Sequence, residues 1–342
     1  MITTHHSDEK DSSPVERPEE VLNMSDTDDP SLRPKMLVDY VGQTEAKKQV
    51  EILVESAKKR QAVVDHILIH GFQGLGKTTL AQIIANEMGT KITISSGQAI
   101  TKVGDMAALL SNLQEGEILF IDEIHRLKPN VEEMLYTAME DFVIDIVLGK
   151  GPTAKSMRLD VPRFALVGAT TKLNSISSPL RDRFGCNLKL GFYSEEDIAQ
   201  ILKKNADRLE IKITNCAAVK MAECSRRTPR IANNLLRRVR DMAVVKDIHE
   251  IDESLVLKTL TALGINEMGL NSTDLSILKL LNTNFEGRPV GLGTIAAALN
   301  EDRETLEYVH EPFLIQLGLM QRTHRGRLLT AKGIECAAQI SV

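Results

Sequence analysis

Residues 66–89, HILIHGFQGLGKTTLAQIIANEMG, constrain the fold of this chain more than any other stretch. A short β-rich run, HILIHG, feeds a loop with the spacing G-x-x-x-x-G-K-T. A helix then opens near Lys77 and is closed by Gly89. Gly71, Gly74 and Gly76 allow successive backbone N–H groups to turn inward and form an anion nest, to which the helix adds its positive end. The segment Gly74, Leu75, Gly76, Lys77, Thr78 and Thr79 therefore reads as a phosphate cradle. Lys77 reaches the β- and γ-phosphates of ATP, and Thr78 offers its hydroxyl to Mg²⁺. Four further short strands follow, in KITIS, GEILFIDE, RFALVGATT and CNLKLGF, separated by helical stretches. Near-continuous apolar strands alternating with helices predict a parallel sheet covered on both faces, the P-loop type of α/β fold.

The end of GEILFIDE places Asp122 and Glu123 at the C-terminal edge of that sheet, beside the loop. Asp122 is expected to hold the Mg²⁺ shell, and Glu123 to orient and activate the attacking water. Such a pair, together with the loop, points to hydrolysis and not to binding alone. VGATT ends the next long strand with Thr170 and Thr171, either of which could hydrogen-bond the water or the γ-phosphate; a strand end simply capped by threonine is the plainer reading. SPLRDRFG carries Arg181 and Arg183 on a surface turn without an obvious intrachain acid. The turn is either a solvated charged loop or an arginine finger for an adjacent subunit. A finger is worth roughly 10³–10⁵ in rate and requires a ring.

Strand patterns stop after Ser194. SEEDIAQILKKNADRL and TPRIANNLLRRVRDMAVV predict a small all-helical lid over 194–264, with Ile231, Leu235, Val239 and Met242 on one helical face. From 265 to 342, three short helices and the hairpin LMQRTHRGRLLTAKG suggest a winged helix. Its third helix, DRETLEYVHEPFLIQ, carries Asp302, Glu304, Glu307 and Glu311 against Arg303 alone, so it is expected to pack or to face away from phosphates. The wing has the opposite character: Arg322, His324, Arg325, Arg327 and Lys332 fall in a stretch without acids. Contacts from such a patch to a nucleic-acid backbone hold any sequence alike. The net charge of −5 does not oppose this reading, because residues 1–31 hold nine acids against Lys10 and Arg17 and leave the remainder slightly positive. Residues 1–30 read as a disordered acidic tail and 31–193 as the ATPase domain. With 4% aromatics and no Trp, base stacking is a poor expectation. Cys186, Cys216, Cys224 and Cys336 lack metal-ligand spacing and read as idle thiols. No apolar run approaches the roughly 18 residues of a membrane span, and the N-terminus lacks a signal-peptide pattern. A cytoplasmic protein with no membrane partner is expected.

The runs GLGKTTLAQIIANEMG, LFIDEIHRL, LYTAMEDF, LVGATT, SPLRDRFG, TPRIANNLLRRVRD and EPFLIQLGLMQRT resemble those of the AAA+ ATPases and, among these, the RuvB family of Holliday-junction branch-migration motors. The resemblance spans about nine tenths of the chain. It implies an AAA+ large domain, a helical lid and a winged helix, in a homohexameric ring acting on duplex DNA and four-way junctions in recombination and repair. It also implies recruitment by RuvA, with the resolvase RuvC in the same complex. On this resemblance Leu32, Arg33, Tyr40 and Val41 are adenine-side contacts, Tyr193 lies near the nucleotide, and Arg230 senses the γ-phosphate. Thr171 joins Lys77, Asp122 and Glu123 in catalysis. Arg183 is the trans-acting finger, and Glu140, Asp141 and Phe142 lie near a neighbouring subunit's nucleotide. Arg322, Arg325 and Arg327 are DNA contacts, and the inserted hairpin 143–161 is the RuvA dock, with Ile146, Leu148, Met157 and Leu159 as candidate contacts. Read from the residues alone, that hairpin could equally extend the sheet edge.

This chain departs from the family pattern at several positions. Phe72 and Gln73 replace two prolines, which predicts a looser phosphate loop. Lys172 stands for Arg, Arg227 for Gly and His324 for Pro. The rival readings are another DNA-associated AAA+ machine of clamp-loader or initiator type, and a nucleotide-dependent DNA-binding switch with weak turnover.

Overall fold

The apolar runs of the first half assemble into a five-stranded sheet. The computed structural model describes residues 30–148, 155–285 and 288–340. The expected acidic tail, Pro30 apart, and the tip of the expected hairpin lie outside those residues. Chain order is α1 (Thr44–Arg60), β1 (Ile67–His70), α2 (Lys77–Met88), β2 (Ile92–Ser96), α3 (Val103–Ser111), β3 (Ile118–Asp122), α4 (Pro129–Glu140), β4 (Val143–Leu148), β5 (Lys155–Asp160), β6 (Ala165–Thr170), α5 (Ser178–Arg181) and β7 (Cys186–Lys189). The sheet runs β2-β3-β6-β1-β7, with every pairing parallel. Alternate residues of one strand enter different cores. Ile67 and Ile69 pack with α1 and α2, whereas Leu68 packs with α3 and α4; Phe120 and Leu119 divide in the same way. This two-sided burial is why the strands read as unbroken apolar runs. Because β6 lies between β1 and β3, the segments after those three strands meet at one edge.

The lid comprises α6 (Glu195–Arg208), β8 (Lys212–Ile213), α7 (Asn215–Glu223), α8 (Pro229–Val245), β9 (Glu250–Ile251) and α9 (Glu253–Ala262). Ser194 caps α6 by accepting from the Asp197 amide, as the sequence suggested. One detail differs from an all-helical lid: β8 and β9 form a two-residue parallel pair. The buried face of α8 is also rotated from the expected one. Ala232, Leu235, Leu236, Val239 and Ala243 are buried, while Ile231 is half-exposed. The small Ala residues let this helix approach the same core that covers one face of the sheet.

The C-terminal domain has its own core. It contains α10 (Ser272–Thr283), α11 (Leu292–Leu299), α12 (Arg303–Thr305), a π-turn at Leu306–His310, α13 (Glu311–Gln316), β10 (Met320–Thr323), β11 (Gly326–Leu329) and α14 (Ala331–Ile340). The expected third helix is thus interrupted by the π-turn, just ahead of Pro312. The hairpin β10–β11 forms as expected, and Val290 bridges to Arg327 as a short third strand. Gly326, at φ 137°, permits that bridge, since a Cβ there would lie 2.3 Å from the Val290 carbonyl oxygen.

The inserted segment pairs β4 with β5, antiparallel, in a separate two-stranded sheet. It does not extend the edge of the main sheet.

Candidate nucleotide site and the basic wing

A cavity of about 240 Å³ opens where the phosphate loop, the C-terminal edge of the sheet and the lid meet. Its inner end is built by Gly74, Gly76, Lys77 and Thr78 with Asp122 and Glu123, and Arg230 reaches in from the first turn of α8. Its outer end is walled by Leu32, Arg33, Tyr40 and Val41, with Tyr193 closing the floor. Thr79 also lines it, while Leu75 lies fully buried behind the loop and its carbonyl accepts from the Tyr193 hydroxyl at 3.3 Å. The Tyr193 and Tyr40 hydroxyls are hydrogen-bonded at 3.2 Å, with Tyr40 left as the donor because the Tyr193 proton is on the Leu75 carbonyl, and burial pushes both phenols up.

The loop runs close against the first turn of α8. Gly74 has φ 79°, and a Cβ on it would lie 3.1 Å from the Arg230 Cβ. Lys77 is buried and donates to the carbonyls of Gly71 and Phe72, both at 3.0 Å. Burial lowers its pKa, opposed by the nearby Glu123 and Asp122 carboxylates. Those carbonyls occupy the donors that phosphate oxygens would take. Phe72, expected to loosen the loop, stacks on Phe192 with ring centroids 4.9 Å apart, which ties the loop to the segment entering the lid.

Burial raises the Asp122 pKa, against the attraction of Lys77. Its Oδ1 accepts from the Glu123 amide at 2.9 Å, which leaves Oδ2 for a cation. With Thr78 in the same cavity, the donor set is hard oxygen and fits Mg²⁺ completed by phosphate and water. Glu123 sits in a left-handed turn, φ 47°. Thr171 donates to its Oε2 at 3.1 Å. The two threonines thus divide: Thr171 orients Glu123, whereas Thr170 is buried against His125 Nδ1 at 2.9 Å. His125, also 3.2 Å from Glu123 Oε2, was not anticipated. Asn205, Arg208 and Asn233 of the lid were likewise missed, because polar residues on a helix read as a solvent face.

Arg183 overturns one expectation. It does have an intrachain acid, Glu140, at 3.1 Å, and its guanidinium lies 4.5 Å over the Tyr136 ring and donates to the Pro179 carbonyl at 2.7 Å. The acid lies 43 residues away in sequence and meets the arginine only through the packing of α4 on α5. Glu140, Asp141, Phe142 and Arg183 all stand outside the cavity of their own chain.

In the wing, Arg322 and Arg327 are clasped by Glu311, at 2.6 and 2.8 Å. Burial alone would raise the Glu311 carboxyl, but these two bonds hold it below its usual range. The Arg322 side chain remains 52% exposed, whereas that of Arg327 is only 14% exposed. Arg325 and His324 are exposed. As expected, the acidic helix turns its charges onto protein: Glu304 binds Lys172 at 3.0 Å and Asp302 caps its own helix.

A parallel-sheet phosphate-loop domain with an acid pair at its edge, a lid that places an arginine beside the loop, and an appended winged helix together define an AAA+ ATPase that works on nucleic acid. Three family models divide the described chain: Holliday junction DNA helicase RuvB P-loop domain over residues 32–190, RuvB AAA lid domain over 193–266 and RuvB C-terminal winged helix domain over 267–337. The chain belongs to the RuvB family. It is similar to the RuvB Holliday junction branch migration motor of Thermotoga maritima, at 45% identity and TM-score 0.82, over 90% of this chain and 98% of that one. Two point mutants of the same protein match at 45% and 46% identity, each with TM-score 0.83 over 90% of this chain and 98% of the other.

Proposed function

We propose that this chain is the ATP-driven motor subunit of a Holliday-junction branch-migration complex, working as a homohexameric ring that hydrolyses ATP to pump duplex DNA during recombination and repair. The observation that carries the reading is Glu123. It is oriented by Thr171, stands beside Asp122 and Lys77 in the lid-covered cavity, and belongs to a chain that also carries a basic wing.

In this reading ATP enters with its phosphates on the loop, and Lys77 exchanges the Gly71 and Phe72 carbonyls for phosphate oxygens. Thr78 and Asp122 hold Mg²⁺, whose chemistry when bound is to neutralise charge on the phosphate oxygens. Glu123 holds the attacking water and accepts its proton. Arg230 registers the γ-phosphate and carries its presence or loss into α8. Arg183 with Glu140 stands at the rim and serves the neighbouring subunit's nucleotide, together with Asp141 and Phe142. Release from Glu140 frees the guanidinium to reach that site. Arg322 and Arg325 meet DNA phosphates from solvent, and Arg327 joins them by leaving Glu311.

The hairpin docks RuvA through Ile146, Leu148, Met157 and Leu159. In support, Ile146 pairs with Met157, and Met157 is 41% exposed. RuvC joins the same complex. We place domain boundaries at 193/194 and 264/265. No helix among the described residues is long and apolar enough to cross a membrane, and we place the protein in the cytoplasm.

The test is strand exchange on a synthetic four-way junction with ATP, RuvA and either the wild-type chain or Glu123→Gln. The variant is expected to bind ATP within a few-fold of wild type and to migrate no junction, with hydrolysis down by about 10² or more. Full migration by this variant would remove Glu123 from its assigned role. Wild-type ATPase activity without migration would favour the clamp-loader or initiator reading.

A further inference from the structure

The lid's polar residues form a chain of hydrogen bonds with a single possible direction. Arg208 Nη1 donates to the Leu32 carbonyl at 2.9 Å and to Asn205 Oδ1 at 3.1 Å. A guanidinium has donors only, so Asn205 must present its oxygen to Arg208 and its amide nitrogen elsewhere. That nitrogen donates to Asn233 Oδ1 at 2.7 Å. Asn205 is 2% exposed and cannot turn over without stranding both ends of its amide. Asn233 must therefore direct its Nδ2 away from Asn205. Among the described residues that nitrogen has no acceptor, and Asn233 lines the nucleotide cavity.

Its position along α8 decides which part of a nucleotide it meets. Arg230 packs on Gly74 at the phosphate end. Asn233 lies three residues on, on the same face and about 4.5 Å further along the axis. Through Asn205 and Arg208 it is tied to Leu32, at the outer end. Leu32, Pro34, Val41 and Ile201 make that end of the wall apolar, which suits a planar base better than a ribose.

We propose that Asn233 is a base-recognition residue that donates an N–H to a ring-nitrogen acceptor of the purine, with Arg208 and Asn205 as positioning residues that aim it. The proposal rests on the nucleotide reading of this cavity and deepens it.

Equilibrium binding of ATP and of its 1-, 3- and 7-deaza analogues to the full chain tests this, by calorimetry or fluorescence. Wild type is expected to bind one of the three deaza analogues about tenfold more weakly than ATP. Asn233→Ala is expected to bind ATP about tenfold more weakly and to lose that discrimination. Asn233→Asp keeps the oxygen that Asn205 needs but turns an acceptor toward the ring; it should bind ATP more weakly still and prefer the matching deaza analogue. Wild type that binds all three analogues like ATP overturns the proposal. So does an Asn233→Ala chain, folded by thermal melt, with unchanged affinity or an unchanged analogue penalty. Lys77→Ala separates the two levels. Unaltered ATP binding in that variant overturns the cavity as the nucleotide site, whereas Lys77-dependent binding that ignores position 233 overturns only the present inference.

Discussion

At the scale of single residues, burial sets what each group can do. His66 is half-buried between strand and helix: its Nδ1 accepts from the Leu166 amide at 2.8 Å and its Nε2 bonds the Met139 carbonyl at 3.1 Å. Burial lowers its pKa from the ordinary 6.5. The unfolded chain therefore binds the proton more tightly, and the stability from neutral His66 is present above the ordinary histidine value and is lost as pH falls below it. Melting temperature should drop on acidification from about pH 7 to about pH 5. An NMR titration that places this ring above the ordinary value would refute the assignment. Arg183 gives a second residue-scale prediction. Because it stands outside its own cavity, Arg183→Ala should leave ATP affinity within a few-fold while cutting ring ATPase by about 10³. Loss of ATP binding in proportion to the loss of rate would mean that the arginine serves its own chain.

At the scale of elements, the turn before α8 joins nucleotide sensing to the winged helix. Arg226 and Arg227 are both left-handed, at φ 53°, a conformation that disfavours side chains by roughly 1–2 kcal/mol per residue. Arg226 is held there by Asp274, fully buried on α10, at 2.5 Å, and by the face of the Phe313 ring at 4.9 Å. The second carboxylate oxygen of Asp274 bonds His310 at 2.7 Å. Asp274→Ala leaves the Arg226 guanidinium buried without a counter-charge, so about 3–5 kcal/mol of stability should be lost in urea unfolding. A change below about 1 kcal/mol would mean that water takes over the role of the carboxylate. The phosphate loop has a contact that composition alone does not reveal. Loss of two prolines predicts looseness, but a loop's freedom also depends on what its side chains touch, and Phe72 has found Phe192.

At the scale of the whole molecule, charge placement separates a surface that binds DNA from one that only looks basic. Arg325 is exposed on the wing turn with no acid bound to it among the described residues. Arg327 is committed to Glu311 and to the Val290 bridge. Arg325→Ala should weaken duplex binding alike for every sequence and lower the salt slope of log affinity by about one. A loss confined to one sequence would point to base reading instead. Arg327→Ala should also loosen the wing, since it leaves Glu311 half-paired. Lys172 lies one residue beyond Thr171, binds Glu304 and lies 4.9 Å over the Tyr308 ring. It therefore connects the hydrolytic edge of the sheet directly to the winged helix.

What the sequence determined by itself was whatever depends on neighbours along the chain. That covers the strand-loop-helix unit, the acid pair closing β3, the caps of the lid helices, the hairpin of the wing and the order of the three domains. These follow from local dihedral preference and from the period of burial, which a reader can count. Tertiary structure decided the pairings. It brought Glu140 to Arg183, Glu311 to Arg322 and Arg327, Phe72 to Phe192, and Leu32 to Arg208 across 176 residues. A charge or an amide carries no mark of its partner in sequence; the partner is selected when apolar faces pack, because each polar group carried inside with them must then be satisfied.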